Sequence, residues 1–314
     1  MSDPAVSQAQ ISEAVAALRR GECIGLPTET VYGLAADARN PEAVRRVFAL
    51  KGRPADHPLI VHLPSTQYLS SFARDIPEAA WRLADQHWPG PLTLVLNRAH
   101  DVPLEVTGGQ DTIALRIPAH PVALAVLRKF EGGLAAPSAN RFGRISPTRA
   151  AHVQSEFGSA VPIVLDGGDC TVGIESTIVD LSGGDARILR PGMLTIEQLG
   201  LGAYRTRDDQ RAPRVPGALE QHYAPRTALF LCSRDTLAVG SDGIHVLAIG
   251  ELPSGLNGIA LPCDPRRYAQ GLYAALRELD TRAARALHAE LPPHTEAWEA
   301  IADRLQRAAA GSIT

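Results

Sequence analysis

Residues 26–63, LPTETVYGLAADARNPEAVRRVFALKGRPADHPLIVHL, bring hydroxyls, a carboxylate and two fixed cations close together in the chain. Thr28, Glu29, Thr30 and Tyr32 supply the polar groups, and Lys51 and Arg53 follow at the exit of a helix. Hydroxyls beside a cationic pair suit an anionic ligand, phosphate first among them. Read alone, Pro27–Gly33 is also a turn whose hydroxyls bond their own backbone, and Lys51 is ordinary helix-dipole chemistry. Arg53 is more specific. Pro54 restrains its backbone to extended geometry and so aims its guanidinium. His57, between Asp56 and Pro58, is open between a ligand contact and a polar strand entry.

Three further blocks carry the same kind of chemistry. In Thr112-Ile113-Ala114-Leu115-Arg116-Ile117-Pro118, alternation places Thr112, Ala114 and Arg116 on one strand face. Arg116 lies amid apolar neighbours and needs a partner, either a structural carboxylate or a substrate carboxylate held bidentately. In Ala136-Pro137-Ser138-Ala139-Asn140, then Gly143 and Ser146-Pro147-Thr148, Ser138 and Asn140 end a strand and Ser146 or Thr148 caps the next helix. That helix start is either a phosphate cradle or a plain cap. Gly173-Ile174-Glu175-Ser176-Thr177 and Arg190-Pro191-Gly192 add hydroxyls and another strand-end arginine, or form a hairpin whose charged end is merely solvated. No Ser-His-Asp or Cys-His spacing suggests a covalent nucleophile, and there is no GxxxxGK[ST] or GxGxxG. A nucleotide, if bound, sits in a different cradle.

The elements that must position these groups follow from periodicity. Helices are expected over 8–20, from Pro41 (capped by Asn40) to Gly52, from Pro77 to Trp88, and over 121–131, 148–157, 265–279 and 294–310. Strands are expected over 22–27, 58–63, 92–96, 112–117, 133–137, 162–166, 176–181, 186–190, 227–232 and 243–249. Several strands are separated only by turns, so the expected fold is α/β, a twisted mixed sheet with flanking helices. Residues 204–217, YRTRDDQRAPRVPG, have linker composition. The expected division is a first domain at 1–203, a linker or lid at 204–225 and a smaller C-terminal α/β domain at 226–314.

The net charge of −3 provides no global field toward nucleic acid or a membrane surface. Cys23, Cys170, Cys232 and Cys263 form no CxxC pair. They read as buried small hydrophobes in a reducing compartment, with no zinc. The sequence shows neither a signal-peptide pattern nor a run of apolar residues long enough to span a membrane, and a cytoplasmic protein is expected.

Taken in order, PTETVYGL, KGRP…HPLIVH, WPGPLTLVL, LRIPAHP, APSAN…G..SPT, DGG…GIESTIVD and ILRPG resemble the YrdC-like threonylcarbamoyl-AMP synthases. The resemblance is to the long form with an extra C-terminal domain. Val215-Pro216-Gly217…His222-Tyr223-Ala224-Pro225 resembles that form's tether, and residues 267–280 its C-terminal helix. His57 stands where the family usually has asparagine, and the tether and the approach to the last helix also depart from the family's usual residues. The resemblance implies a YrdC-like first domain and a Rossmann-like second one.

It also implies condensation of L-threonine, bicarbonate or carbon dioxide, and ATP to threonylcarbamoyl-AMP and pyrophosphate. A downstream tRNA threonylcarbamoyl-transferase machinery would use the product. By the same resemblance, Lys51 and Arg53 are catalytic. ATP is held by Lys51, Arg53, His57, Thr112, Ser138, Asn140, Ser146, Arg190 and Tyr223. Threonine is held by Thr30, His62, Arg116, Ala136 and Ser176, and His222 and Tyr223 act as a lid. Mg2+ is expected to arrive through the phosphates, with no protein ligands. One rival reading is a double-stranded RNA-binding protein of the same class, which the charge disfavours. Another is a carbamoyl-phosphate-using domain, whose zinc-finger cysteines are missing here.

Overall fold

The computed structural model describes residues 6–183, 185–201, 212–217, 219, 221–237, 243–282 and 284–310. Helix α1 (Gln8–Arg19) starts at a capping box formed by Ser7 and Gln10 and buries Ile11, Val15 and Leu18. After β1 (Ile24–Leu26) and β2 (Gly33–Asp37) comes α2 (Pro41–Lys51). The Asn40 side chain accepts from the amides of Glu42 and Ala43, and Gly52 ends α2 at φ 62°. Then follow β3 (Ile60–His62), β4 (Ala73–Arg74), α3 (Glu78–His87), β5 (Leu92–Arg98), α4 (Leu104–Thr107), β6 (Thr112–Arg116), α5 (Pro121–Phe130) and β7 (Leu134–Ala135). The first part closes with α6 (Ala150–Phe157), β8 (Thr177–Asp180), β9 (Arg187–Arg190) and α7 (Ile196–Leu199).

These strands form one sheet in the order β1-β2-β7-β3-β6-β5-β8-β9, with β4 on β5. It is mixed as expected: β3–β6 and β5–β8 run parallel, the other pairs antiparallel. Strand alternation decides what each face carries. Leu34, Val61, Leu94 and Leu115 point into a core shared with α2 and α3. Ile60, Val95, Ala114 and Ile178 form a separate patch on other positions of the same strands, covered by Val215 of the linker. His62 and Arg116 are register partners on β3 and β6, in phase with Ile60 and Ala114. The polar residues of these strands therefore lie on the side that the linker covers.

The structure departs from the sequence reading at several elements. Strand β2 sits between the polar turn and α2, paired with β1 through Ile24↔Ala35 and Leu26↔Gly33. Its GLAAD residues have weak β propensity, so pairing rather than local preference makes the strand. Residues 162–166 form only one bridge, Gly25↔Val164, to the edge of β1. Ser146 and Thr148 do not cap α6. Its N-cap is Arg149, without a side-chain bond, because the Ser146 hydroxyl is given to Glu175.

The C-terminal part holds β10 (Leu229–Cys232), β11 (Ile244–Ile249), β12 (Gly258–Leu261), α8 (Pro265–Thr281), β13 (Ala286–Glu290) and α9 (Glu296–Ala310). The strands lie in the order β10-β13-β11-β12, all pairs parallel. Strands β12 and β13 are additions to the sequence reading. The apolar cluster of α8 and α9 takes in Val31, Ile145, Ile174 and Tyr223. This second body is thus packed onto the wall of the first. The 204–211 stretch of the expected linker lies outside the described residues.

Cys23 and Cys170 are buried, but Cys232 is half-buried and Cys263, in the turn before α8, is exposed. Among the described residues no group of three or more His, Cys, Asp or Glu side chains is placed to hold a metal. No described helix is long and apolar enough to cross a membrane.

Candidate functional site

One end of the cleft is built around Arg116 on β6. Its Nε donates to Gly90 O at 3.1 Å, Nη1 to Thr30 Oγ1 at 2.8 Å and Nη2 to Glu29 Oε1 at 2.5 Å. The other Glu29 oxygen accepts from the Ala119 amide at 3.0 Å. Thr28 Oγ1 accepts from the amides of Thr30 and Val31 and lies 3.0 Å from Thr30 Oγ1, so the turn holds its own hydroxyls in place. The structural salt bridge is therefore present. Three of the guanidinium's five N–H bonds are used, which leaves one on each terminal nitrogen. His62 is buried next to Arg116, and its Nδ1 has no partner. Burial, followed by the Arg116 charge, holds its pKa well below the usual value, so the imidazole is neutral.

The other end carries cations that meet no carboxylate among the described residues. Arg190, at the end of β9, donates through Nε and Nη2 to Ser176 O, at 3.2 and 2.9 Å. Nη2 also reaches Ser176 Oγ at 3.1 Å. Thr93 Oγ1 lies 2.7 Å from Ser176 Oγ and fixes that hydroxyl from the other side. Arg53 donates to Pro58 O at 2.9 Å, its guanidinium lies 5.8 Å from the centre of the Phe142 ring, and its Nε has no partner. Burial lowers the pKa of both arginines, that of Arg53 to about 10, which leaves them charged at neutral pH. Two buried cations with spare donors have the chemistry to take up an anion.

Linker residues close this space from above. Pro216 O accepts from Arg190 Nη1 at 2.9 Å. Tyr223 is buried with φ +63°, a left-handed conformation that a tyrosine adopts only under tertiary constraint. Its ring stacks on Tyr273 of α8 at 5.7 Å and meets His222 edge-on at 4.2 Å. Burial depresses the His222 pKa to about 3, so this ring too is neutral. Ala224 N donates to Gly143 O at 2.8 Å, and His222 N to Arg307 O at 3.3 Å, which ties these residues to both bodies. The remaining cavity is about 40 Å³. It is lined by Arg53, Ser138, Arg190, Tyr223, Thr30, His62, Arg116, Ala136, Ser176 and His222, all residues the sequence singled out.

Other sequence candidates lie outside the lining. Lys51 Nζ is buried and donates to Ser138 O and to Asn140 O, the latter at 2.6 Å, so it holds that segment from behind. Burial first, then the Arg53 charge, lowers its pKa well below lysine's usual value. Asn140 Nδ2 donates to the carbonyls of Arg141 and Arg144, at 2.7 and 2.8 Å, and braces the turn. Ser146 Oγ donates to Glu175 Oε1 at 2.6 Å. Thr112 is half-buried at the far end of β6, and His57 packs edge-on against Phe142 at 5.3 Å.

Glu175 is the main residue that sequence reasoning missed. It lines the cleft and also accepts Tyr273 Oη at 2.8 Å and Arg304 Nε at 2.9 Å on Oε2. Burial alone would raise its pKa, but Arg304, Arg190 and the Ser146 bond outweigh this and hold it near 2. The only sequence signal was its place in GIEST. Its partners, on α8 and α9, are distant in the chain.

Comparison with known proteins gives the family of the chain. A family model for Sua5/YciO/YrdC proteins, described as telomere recombination, matches residues 16–192. A second, described as the threonylcarbamoyl-AMP synthase C-terminal domain, matches residues 190–310. The chain is 36% identical to a threonylcarbamoyl-AMP synthase of Pyrococcus abyssi, over 96% of this chain and 95% of that protein. It is 37% identical to one of Bacillus subtilis, over 97% and 94%. The solved structure of P. abyssi Sua5 complexed with L-threonine superposes with a TM-score of 0.92 at 35% identity, covering 98% of this chain and 96% of that one.

Proposed function

The chain belongs to the threonylcarbamoyl-AMP synthase family, and we infer that its cleft joins L-threonine, bicarbonate or carbon dioxide, and ATP into threonylcarbamoyl-AMP and pyrophosphate. The product carries the threonylcarbamoyl group destined for an adenosine of tRNA. A transferase machinery in the cytoplasm would consume it. The observation that carries the reading is the pairing of two differently built anion sites in one cleft. Arg116, braced by Glu29 and Thr30, suits a carboxylate, and Arg53 with Arg190 suits phosphates.

The threonine amine attacks the carbon source and gives a carbamate, releasing a proton to solvent from carbon dioxide or a water molecule from bicarbonate. A carbamate oxygen then attacks the α-phosphorus of ATP, and pyrophosphate leaves with the electron pair of the broken P–O bond. Both reactants are anionic, so catalysis consists chiefly of holding like charges together in line. In this reading the two spare N–H groups of Arg116 take the threonine carboxylate beside Thr30, His62 and Ala136. Neutral His62 adds no charge there. Arg53 and Arg190 face the phosphates with Ser138, and Ser176 lies between the two groups. Lys51, Asn140 and Ser146 act by fixing the walls.

A cavity of about 40 Å³ holds a few water molecules and is too small for a nucleotide. In this reading nucleotide entry requires Pro216, Gly217, His222 and Tyr223 to lift, and their return excludes water from the mixed anhydride. Glu29 and Glu175 are both engaged by arginines, so Mg2+ would be held through the phosphates and would neutralise their charge.

The direct test measures pyrophosphate release from ATP and bicarbonate with threonine present or omitted. Release that depends on threonine is expected. Equal release without it would remove threonine as the substrate.

A further inference from the structure

Glu175 presents a problem for an ATP site. It is a buried, ionised carboxylate in the cleft lining, one residue before Ser176, whose carbonyl and hydroxyl accept from Arg190. A carboxylate left free there would capture Arg190 and repel phosphate. Both of its oxygens are instead turned to other partners. Oε1 takes Ser146 Oγ at 2.6 Å, and Oε2 takes Tyr273 Oη at 2.8 Å and Arg304 Nε at 2.9 Å. The last two come from α8 and α9 of the C-terminal domain.

We propose that Arg304 is a positioning residue for nucleotide binding: it neutralises Glu175 across the domain boundary and so leaves Arg190 available to phosphate. The inference rests on the reading of the cleft as an ATP site. Arg304 is built for this role. Its side chain is fully buried, its Nη2 donates to Pro191 O at 2.9 Å, next to Arg190, and its Nη1 reaches Asp303 Oδ2 at 2.6 Å. Its guanidinium also stands 5.4 Å from the ring of Tyr223 in the lid. The C-terminal domain thereby supplies the charge that balances the catalytic wall and supports the residue after Arg190.

A buried ion pair that serves stability alone makes a different prediction from one that sets the charge of the cleft. Calorimetric titration of the full chain with α,β-methylene-ATP, whose α–β bridge cannot be cleaved, separates them. Arg304→Gln should weaken binding at least tenfold. In steady-state assays it should raise the KM for ATP while the KM for threonine changes less than twofold. Glu175→Gln/Arg304→Gln, which removes both charges, should bind within threefold of the wild type. Arg304→Gln binding like the wild type would overturn the proposal, as would a double variant that stays as weak as the single one. If Arg304→Gln does not accumulate as folded protein, the double variant decides alone, and a tenfold loss in it refutes the charge role. A wild-type protein that binds no nucleotide would instead refute the ATP-site reading, before any variant is made.

Discussion

Arg116 can brace Glu29 and still grip a ligand, because a guanidinium has five N–H groups and its neighbours here use three. Arg116→Lys keeps the charge but loses the fork that reaches Gly90, Thr30 and Glu29 together. The KM for threonine should rise at least tenfold with little change in the KM for ATP. Arg116→Ala adds a second effect, an unpaired buried carboxylate at Glu29, which costs about 3–5 kcal/mol of stability. Steady-state kinetics and denaturant melts of both variants separate the two roles. A lowered melting point with an unchanged threonine KM would make Arg116 purely structural. At this scale much of the site was legible. Arg53 and Arg116 stood out, beside a proline and amid apolar strand residues, whereas Arg190 read equally as the solvated end of a hairpin. Glu175 and Arg304 did not stand out. Each is ordinary in its own segment, and they meaningfully pair only when α9 packs against the loop before β8.

Among elements, the stretch before Tyr223 is tightly constrained. Gly217 has φ +76°, and a Cβ on it would lie 2.1 Å from Tyr223 Oη and 3.3 Å from Arg190 Nη1. Gly217→Ala therefore adds left-handed strain of about 1–2 kcal/mol and pushes Tyr223 out of its stack on Tyr273. We expect threonylcarbamoyl-AMP formation to slow at least tenfold and threonine-independent pyrophosphate release to increase, because water then reaches the cleft. Kinetics identical to the wild type in a folded Gly217→Ala protein would show that this segment does not close the site. Elements with local signals were legible from sequence: α2 between Asn40 and Gly52, α1 from its apolar periodicity, β5 and β6 from apolar runs. Strands β2, β12 and β13 were not, since GLAAD, GIAL and ALHAE are rich in Ala and Gly and become strands through pairing. The covering of Ile60, Val95, Ala114 and Ile178 by Val215 was equally hidden, because it joins residues far apart in the chain.

For the whole molecule, the closed cleft has a cost that pH exposes. His62 and His222 are buried and neutral. Burial is the leading cause at both, reinforced by Arg116 at the first and by Arg53 and Lys51 at the second. In the unfolded chain both take up protons below about pH 6.5. Their folded pKa values lie lower, so the stability they contribute is complete above pH 6.5 and is lost as pH falls toward about 3 for His222. Each histidine removes about 1.4 kcal/mol per pH unit within that window. Glu175 acts further down. With its folded pKa near 2, its contribution is present above about pH 4.5 and disappears between 4.5 and 2. Urea melts should therefore show stability falling by at least about 3 kcal/mol per pH unit between pH 6 and 5, because His152, which burial lowers to about 4, adds a smaller part to that of His62 and His222. His222→Gln should remove the His222 share, less than half of this slope, and leave the fall below pH 4.5 that belongs to Glu175. A slope between pH 6 and 5 that is unchanged in His222→Gln would mean that His222 is not buried as a neutral ring when the protein is folded in solution. The lid would then rest open rather than closed over Arg53 and Arg190.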